Sequence, residues 1–282
     1  MDALTVIGLA AMGGSLGCVL RVIMRDACAA AGISKWQGIA IINVLGSAGA
    51  GAMAAAHVAE WWQALLIVGL FGGFTSFSAM ALDIVALWIA NRRKSALLLG
   101  LTTTVAAPLA AAGAGAAATA ALPPIAPRRG WQRMAVLDAL VIIGGGSVGC
   151  AARATVVLAA EHLAFPAWSA TTTCNVLGSG LAAAAARALI AQEESGKPLA
   201  HPALRAHLDR LILLGFCGGL TTVSSLAVEM AEMARESLLH AALLGACNVV
   251  VGCVAAAGGW WLVRRRYPLR ERLEHEIEGA VR

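Results

Sequence analysis

An internal repeat is the feature that most constrains the fold of this chain. Three blocks of the first half return in the same order in the second half: Gly13–Cys18 as Gly145–Cys150, Asn43–Ser47 as Asn175–Ser179, and Gly69–Ser76 as Gly215–Thr222. The first two pairs share one offset (145 − 13 = 132), and the third is offset by 146 (215 − 69). An ordered repeat of this size in an apolar chain is typical of transport proteins whose site lies where the repeats meet.

The hydrophobic content predicts an all-α integral membrane protein. Of the 282 residues, 59% are hydrophobic and 13% are charged, whereas soluble domains carry roughly 25% charged residues. Helices satisfy their own backbone hydrogen bonds in lipid. We expect eight transmembrane helices, at about 4–24, 37–57, 62–90, 95–122, 134–158, 167–190, 210–234 and 238–263. No Lys or Arg precedes Arg21, so we expect the first helix to be retained rather than cleaved as a signal peptide.

These segments divide the chain into two four-helix repeats. The first repeat covers 1–122, a linker covers 123–133, the second repeat covers 134–266, and a soluble tail covers 267–282. The basic residues that give the chain its formal net charge of +5 lie at the predicted membrane edges. We therefore attribute it to positively charged loops of a cell-membrane protein and expect no nucleic-acid partner.

The basic residues predict opposite orientations for the two repeats. In the first repeat they flank the connections between helices one and two and between helices three and four: Arg21, Arg25, Lys35, Arg92, Arg93 and Lys94. In the second repeat most lie before the first helix or between the second and third: Arg128, Arg129, Arg133, Lys197, Arg205 and Arg210. By the positive-inside rule, the two repeats prefer to insert with opposite topology.

This preference conflicts with the helix count, because four spans return a chain to the side on which it started. Two explanations remain open. The fourth segment contains two short spans broken at Pro108, or the repeats lie parallel and a second chain supplies the inverted partner. We prefer the second explanation, because residues 95–127 are too few for two helical crossings of a ~30 Å core.

The third block predicts a broken helix in each repeat. Two glycines precede a run of hydroxyl residues at Gly72–Ser78, and again at Gly218–Ser224. A helix break in the membrane frees carbonyl and N–H groups that can coordinate ions. The alternative is an unbroken, kinked helix whose Ser and Thr side chains bond back to their own carbonyls.

Other polar residues within the apolar segments also align between the repeats. The amides of Asn43 and Asn175 could donate to an anion or simply join two helices. Arg21 and Arg153 could extend to the headgroups or attract anions to a vestibule. Asp83 and Glu229 are costly in lipid, so we expect each to pair with an arginine or a helix end.

The sequence offers little for enzymatic chemistry. The seven cysteines form no CxxC pair and the six histidines show no metal-ligand spacing, so we expect free thiols. No glycine-rich phosphate loop followed by Lys and Ser/Thr is present. We expect a protein that is not an enzyme.

The three blocks, in this order on a four-helix unit, resemble the Fluc (CrcB) fluoride channel family, with one copy in each half. The resemblance implies antiparallel pairing of four-helix units, within this chain or with a second copy, and two narrow pores along their interface. It also implies a structural sodium ion (Na+) at the helix breaks, with four ligand residues: Gly72, Thr75, Gly218 and Thr221. The implied pore positions, together with the hydroxyls of the break, are Asn43, Phe77, Ser78, Met80, Asn175, Val223, Ser224 and Leu226.

The chain departs from the resemblance at the aromatic positions. The family pore carries two phenylalanines three residues apart, whose electropositive ring edges face fluoride. Here the first repeat has Phe77 and Met80, and the second has Val223 and Leu226. A pore that pairs the two repeats therefore contains at most one phenyl ring.

The function implied is passive efflux of fluoride across the lipid bilayer, which lowers cytoplasmic fluoride. One alternative is a non-conducting or one-pore partner subunit of such a channel. Another is a dual-topology exporter of small solutes, which would need a carboxylate in a first helix, and neither first helix has one in its apolar part.

Overall fold

A computed structural model describes residues 1–117, 135–194 and 202–266. The predicted linker 123–133, the tail 267–282 and part of the loop at 191–209 lie outside the described residues. Within the described residues, eight helices are long and apolar enough to cross a membrane: α1 (Ala3–Ala30), α2 (Lys35–Ala55), α3 (Glu60–Ile89), α4 (Arg93–Ala114), α5 (Val136–His162), α6 (Ala167–Gln192), α7 (Ala203–Met233) and α8 (Leu238–Arg265). The prediction of an all-α membrane protein with two sets of four helices is confirmed.

Helix α4 continues through its internal proline. Pro108 has no N–H, and its ring crowds the carbonyl of the residue four positions earlier. The turn just before it, Thr102–Ala106, is widened to π geometry, and regular helix resumes at Ala107–Ala117. Such π turns accommodate a lost hydrogen bond within an otherwise continuous helix. Pro108 therefore does not divide this segment into two spans.

The glycines of the first block bring α1 into backbone contact with α3. A Cβ atom on Gly13 or Gly17 would collide with main-chain atoms of α3, including the carbonyl oxygens of Leu65 and Leu70. In the second repeat, Gly145 and Gly149 meet the α7 backbone in the same way. Helices in lipid associate through this kind of close packing, because water exclusion contributes nothing between them.

The two repeats pack against each other through α1 and α5. Gly14 lies against Cys150, and Gly146 lies against Cys18. The second part of each broken helix also crosses into the other repeat. Phe77–Ile89 packs on α6 and α8, whereas Ser224–Met233 packs on α2 and α4. The larger of the two hydrophobic core clusters among the described residues is therefore built from both repeats, and it includes Phe77 and Val223 at the two breaks.

Candidate functional site

Helix α3 is broken at Thr75 and Ser76, which we name break 1. The helical turn Gly72–Phe74 ends there, and both residues adopt extended backbone conformations (ψ 158° and 113°). A new helix starts at Phe77, and the Ser76 hydroxyl accepts a hydrogen bond from the N–H of Ala79 at 3.3 Å. Serine is a favoured residue at this N-cap position because it satisfies an N–H that the new helix leaves unpaired.

Helix α7 is broken at Thr221–Val223, which we name break 2. Thr221 is extended (ψ 149°), and the helix restarts at Ser224–Met233. The hydroxyl of Thr222 accepts from the N–H of Ser225 at 3.3 Å. The broken third helix predicted for each repeat is confirmed.

Threonine hydroxyls at both breaks also donate back to carbonyls of their own helix. The alternative interpretation, an unbroken and kinked helix, predicted bonds of this kind. Oγ1 of Thr75 donates to the carbonyl of Phe71 at 3.0 Å, and Oγ1 of Thr221 donates to the carbonyl of Cys217 at 2.9 Å. Each of these carbonyls also accepts from the backbone N–H of the same threonine at 3.0 Å, so the hydroxyl adds a second hydrogen bond to it. Back-bonding and a true break therefore occur together.

Each break is completed by the other repeat. Oγ1 of Thr75 accepts from the N–H groups of Val223 and Ser224, both at 3.2 Å, and lies 3.1 Å from the Ser224 hydroxyl. Reciprocally, Oγ1 of Thr221 accepts from the N–H of Ser78 at 3.1 Å and lies 3.0 Å from its hydroxyl. The start of each second half-helix is thus capped by a threonine of the opposite repeat.

Asn43 and Asn175 hold the extended residues of the breaks. Oδ1 of Asn43 accepts from the N–H of Ser76 at 3.0 Å, and its Nδ2 donates to the Ser76 carbonyl at 3.5 Å. Asn175 makes the same pair of bonds with Thr222, at 2.8 and 3.0 Å. Each Nδ2 carries two hydrogens, and one serves this bond. Both side chains are buried.

The predicted pore residues that lack hydroxyls or amides are fully buried in the shared core. The ring of Phe77 packs on Gly252 of α8, in the other repeat. The sulfur of Met80 accepts from Oγ1 of Thr103, on α4 of its own repeat, at 2.5 Å. Phe77 and Met80 therefore contact different repeats. Two further predicted positions belong to the same core cluster: Val223 and Leu226.

Arg21 crosses the interface between the repeats. Its side chain is 4% exposed, so it does not extend to the headgroups. Nη1 donates to the carbonyls of Thr75 and Gly218, both at 3.0 Å, and Nη2 donates to the carbonyl of Leu214. The guanidinium joins break 1 to the helical turns that precede break 2.

Arg153 occupies the equivalent position in the second repeat and is 2% exposed. Its Nη2 donates to the carbonyl of Val68 at 2.6 Å and lies 3.6 Å from Sγ of Cys150. Its guanidinium covers Gly72, where an added Cβ would collide with Nη1 and Nη2. Nε and Nη1 are buried and have no hydrogen-bond partner among the described residues.

The implied sodium site can be tested against these contacts. Backbone carbonyls are suitable ligands for a hard cation. However, the carbonyls of Thr75 and Gly218 already accept from one nitrogen of Arg21. A sodium ion bound to both would lie near that guanidinium, and two unit charges about 4 Å apart repel by about 4 kcal/mol at an effective dielectric constant of 20. The observed arrangement does not fit an additional cation, and the sodium ligands Gly72, Thr75, Gly218 and Thr221 stay a prediction.

A cavity of about 160 Å³ opens beside break 1. It is lined by basic, hydroxyl and acidic side chains: Arg21, Arg25, Lys35, Ser76, Ser78 and Asp83. We name it the basic cavity. Asp83 shares it with three cations, but among the described residues no ion pair within 4 Å joins Asp83 to any of them, so the expected pairing with an arginine is not observed. Glu229, its equivalent in the second repeat, instead accepts from the hydroxyl of Thr171 at 2.5 Å.

Two contributions to this site were not predicted from the sequence: the burial of the arginines and the contact of Gly252 with Phe77. The fixed offset between Arg21 and Arg153 was the one sequence signal that marked both as parts of the site.

All seven cysteines are free. Within 1–117, 135–194 and 202–266, no group of His, Cys, Asp or Glu could hold a metal ion.

These features define a multi-pass membrane protein in which two four-helix repeats meet at paired helix breaks. The chain belongs to the CrcB family. A family model described as "CrcB-like protein, Camphor Resistance (CrcB)" matches residues 8–116 and 140–260, once in each repeat. The family resemblance and the tandem duplication inferred from the sequence are both confirmed.

Curated relatives match parts of the chain. The fluoride-specific ion channel FluC of Methanopyrus kandleri is 41% identical over 56 residues, which cover 20% of this chain and 43% of that protein. The FluC protein of Paramagnetospirillum magneticum is 36% identical over 96 residues, 29% of this chain and 74% of its own. The FluC protein of Rhodospirillum centenum is 38% identical over 91 residues, which cover 27% of this chain and 66% of that protein. No solved structure matches the chain.

Proposed function

We propose that this protein is a fluoride-selective channel that allows passive efflux of fluoride and so lowers its concentration in the cytoplasm. Membership in the CrcB family and the names of the relatives support fluoride as the ion. The observation that carries the proposal is the pair of breaks, each capped by the other repeat. This arrangement gathers hydroxyl groups and the amides of Asn43 and Asn175 at membrane depth, where a small anion needs replacements for its water. No enzymatic step is part of the proposal.

We also propose that the two repeats pair antiparallel within one chain. Along α1 the contacts advance from Gly14 to Cys18, while along α5 they retreat from Cys150 to Gly146, as antiparallel helices require. The ends of the helices agree with this direction. The basic cavity, at the end of α1, also includes Asp209, and Asp209 immediately precedes the π segment of α7.

Ion pairs extend this argument to the second repeat. Asp138, at the start of α5, pairs with Arg210 near the start of α7 at 3.3 Å. The first helix of one repeat therefore ends where the first helix of the other begins. Arg25, Lys35 and Arg210 then share one end of the bundle, which the positive-inside rule assigns to the cytoplasm. The segment that would reconcile this pairing with the helix count lies outside the described residues.

We expect the two pore routes to conduct unequally. Phe77 faces α8, so its ring belongs to the route between α3 and the second repeat. Met80 faces α4 and belongs to the route on the other side. The ring edge is a weak electropositive partner that substitutes for water without trapping fluoride. The free hydrogen of the Asn43 amide is our candidate donor beside it.

The test is fluoride efflux from proteoliposomes, followed with a fluoride electrode. Purified full-length protein is expected to release fluoride and retain chloride. Asn43→Asp keeps an acceptor for the Ser76 N–H but places an anion beside the route, so we expect at least a tenfold loss of flux. Fluoride efflux no faster than from empty vesicles contradicts the channel proposal.

A further inference from the structure

The centre of the interface between the repeats contains two buried guanidinium groups. Arg21 and Arg153 are 4% and 2% exposed, and neither forms an ion pair within the described parts of the chain. Arg21 donates instead to backbone carbonyls of both repeats, and Arg153 donates to the Val68 carbonyl of the opposite repeat. A buried charge is costly unless it is paired or hydrogen-bonded. Carbonyls supply this compensation for Arg21, whereas Nε and Nη1 of Arg153 have no partner among the described residues.

The arrangement occurs twice, at equivalent positions. Arg21 and Arg153 differ by the offset of the first block (153 − 21 = 132), and their acceptors Leu214 and Val68 differ by the offset of the third (214 − 68 = 146). Each guanidinium also covers one glycine at the head of a break. A contact reproduced by both repeats at matched residues is a property of the fold rather than of one side chain.

Two of the carbonyls that receive Arg21, those of Thr75 and Gly218, lie at a break or in the helical turn just before one. Carbonyls at the end of an interrupted helix carry partial negative charge, which favours a cation. The guanidinium is permanently charged and has five N–H donors in a planar fork. Arg21 uses one nitrogen for the carbonyls of Thr75 and Gly218, one from each repeat. A single side chain thereby joins the two breaks.

We infer that Arg21 and Arg153 supply the central positive charge of this protein themselves, in place of a bound sodium ion. Both the joining of the repeats and the ion conduction are then independent of sodium. This inference concerns what holds the two breaks together, and it stands apart from the identity of the permeating anion.

Thermal unfolding of the full-length protein in detergent tests the inference without reference to transport. The melting temperature is measured in sodium chloride and in N-methylglucamine chloride at equal ionic strength. A ligand at concentration L that binds only the folded state stabilises it by RT ln(1 + L/Kd), so the melting temperature rises with the logarithm of ligand concentration above Kd. We expect the two melting temperatures to agree within about 1 °C. A melting temperature that rises with sodium concentration at constant ionic strength overturns the inference.

Substitution of Arg21 tests whether its positive charge stabilises the protein. Arg21→Met keeps an unbranched apolar stem, removes the guanidinium and frees the carbonyls of Thr75 and Gly218, so we expect a lower melting temperature that sodium partly restores. Arg93→Met is the matched control, because Arg93 lies over the Trp88 ring at 5.5 Å, far in sequence from either break. It should melt close to the wild type in either salt. Equal melting of Arg21→Met and Arg93→Met overturns the inference.

Two further measurements keep the inference testable. If Arg21→Met does not fold, Arg21→Lys takes its place, because lysine retains a positive charge at this position. The melting temperature of Arg21→Lys should be the same with and without sodium. If the melting temperatures of Arg21→Lys and of the wild type both rise with sodium, the inference is wrong. Fluoride efflux with N-methylglucamine replacing sodium on both sides should match efflux in sodium within twofold. Loss of flux only without sodium overturns the inference, whereas loss in both salts contradicts the channel proposal alone.

Discussion

Gly252 on α8 provides the space for the Phe77 ring, and replacing it tests the proposed aromatic contribution to the pore. A Cβ on this glycine would lie 2.9 Å from Cζ of Phe77 and closer still to Cε1, whereas ordinary contacts are 3.4–4 Å. The ring would have to move by about 1 Å to restore normal carbon–carbon separation. Phe77 is 0% exposed and packed on all sides, so Gly252→Ala cannot be relieved without strain.

The expected magnitude follows from the packing. Inserting a methyl group into a filled core costs about 1–3 kcal/mol. If the displaced ring loses a comparable part of its interaction with the permeating ion, flux falls about tenfold for each 1.4 kcal/mol. We expect Gly252→Ala to lower fluoride efflux about tenfold in proteoliposomes.

Gly258→Ala on the same helix is the matched control, since an added Cβ there meets no atom within 4 Å. Both substitutions raise intrinsic helix propensity equally, so this contribution cancels in the comparison. Gly258→Ala should conduct within twofold of the wild type. Equal flux through the two variants refutes the assignment of Phe77 to a conducting route.

Three other predictions concern the breaks and the pairing of the repeats. Thr75→Val removes the acceptor of two buried N–H groups, at about 1–3 kcal/mol each, so its melting temperature should fall well below that of Thr75→Ser; equal melting excludes the cap between repeats. Phe77→Ile should reduce fluoride efflux at least tenfold, while Phe165→Ile, at an exposed connection, should leave it within twofold; similar flux through both would show that the ring is dispensable. Gly146→Cys places a second thiol beside Cys18, and mild oxidation should cross-link it within one chain; a cross-linked dimer on a non-reducing gel would instead favour pairing between chains.

The sequence predicted the membrane helices well, because hydropathy and helix length are local properties. The expected third span, 62–90, is nearly the observed Glu60–Ile89. The first helix was expected to end near residue 24 but continues to Ala30, because a helix can extend past the apolar core through polar residues such as Arg25. Local composition does not report that extension.

The breaks were predictable as well, because paired glycines and clustered hydroxyls weaken a helix at that point. Their partners were not predictable. Asn43 was considered as an anion donor or a link between helices, and it pairs with the backbone of Ser76. Arg21 was expected at the headgroups or in a vestibule, and it is buried against carbonyls of both breaks. The outcome for Arg21 depends on how the two repeats fit together, which periodicity within one repeat does not encode. The Asn43 contact joins α2 to α3 of one repeat and is thus a link between helices.

The central claim is that one chain contains both members of an antiparallel pair and forms a complete fluoride channel. It is tested most directly by measuring the fraction of vesicles that release fluoride as the protein-to-lipid ratio is lowered toward one chain per vesicle. If one chain suffices, the inactive fraction follows the Poisson probability of vesicles that contain no chain. An inactive fraction that also includes the vesicles with a single chain would contradict the claim, because the inverted partner would then come from a second copy.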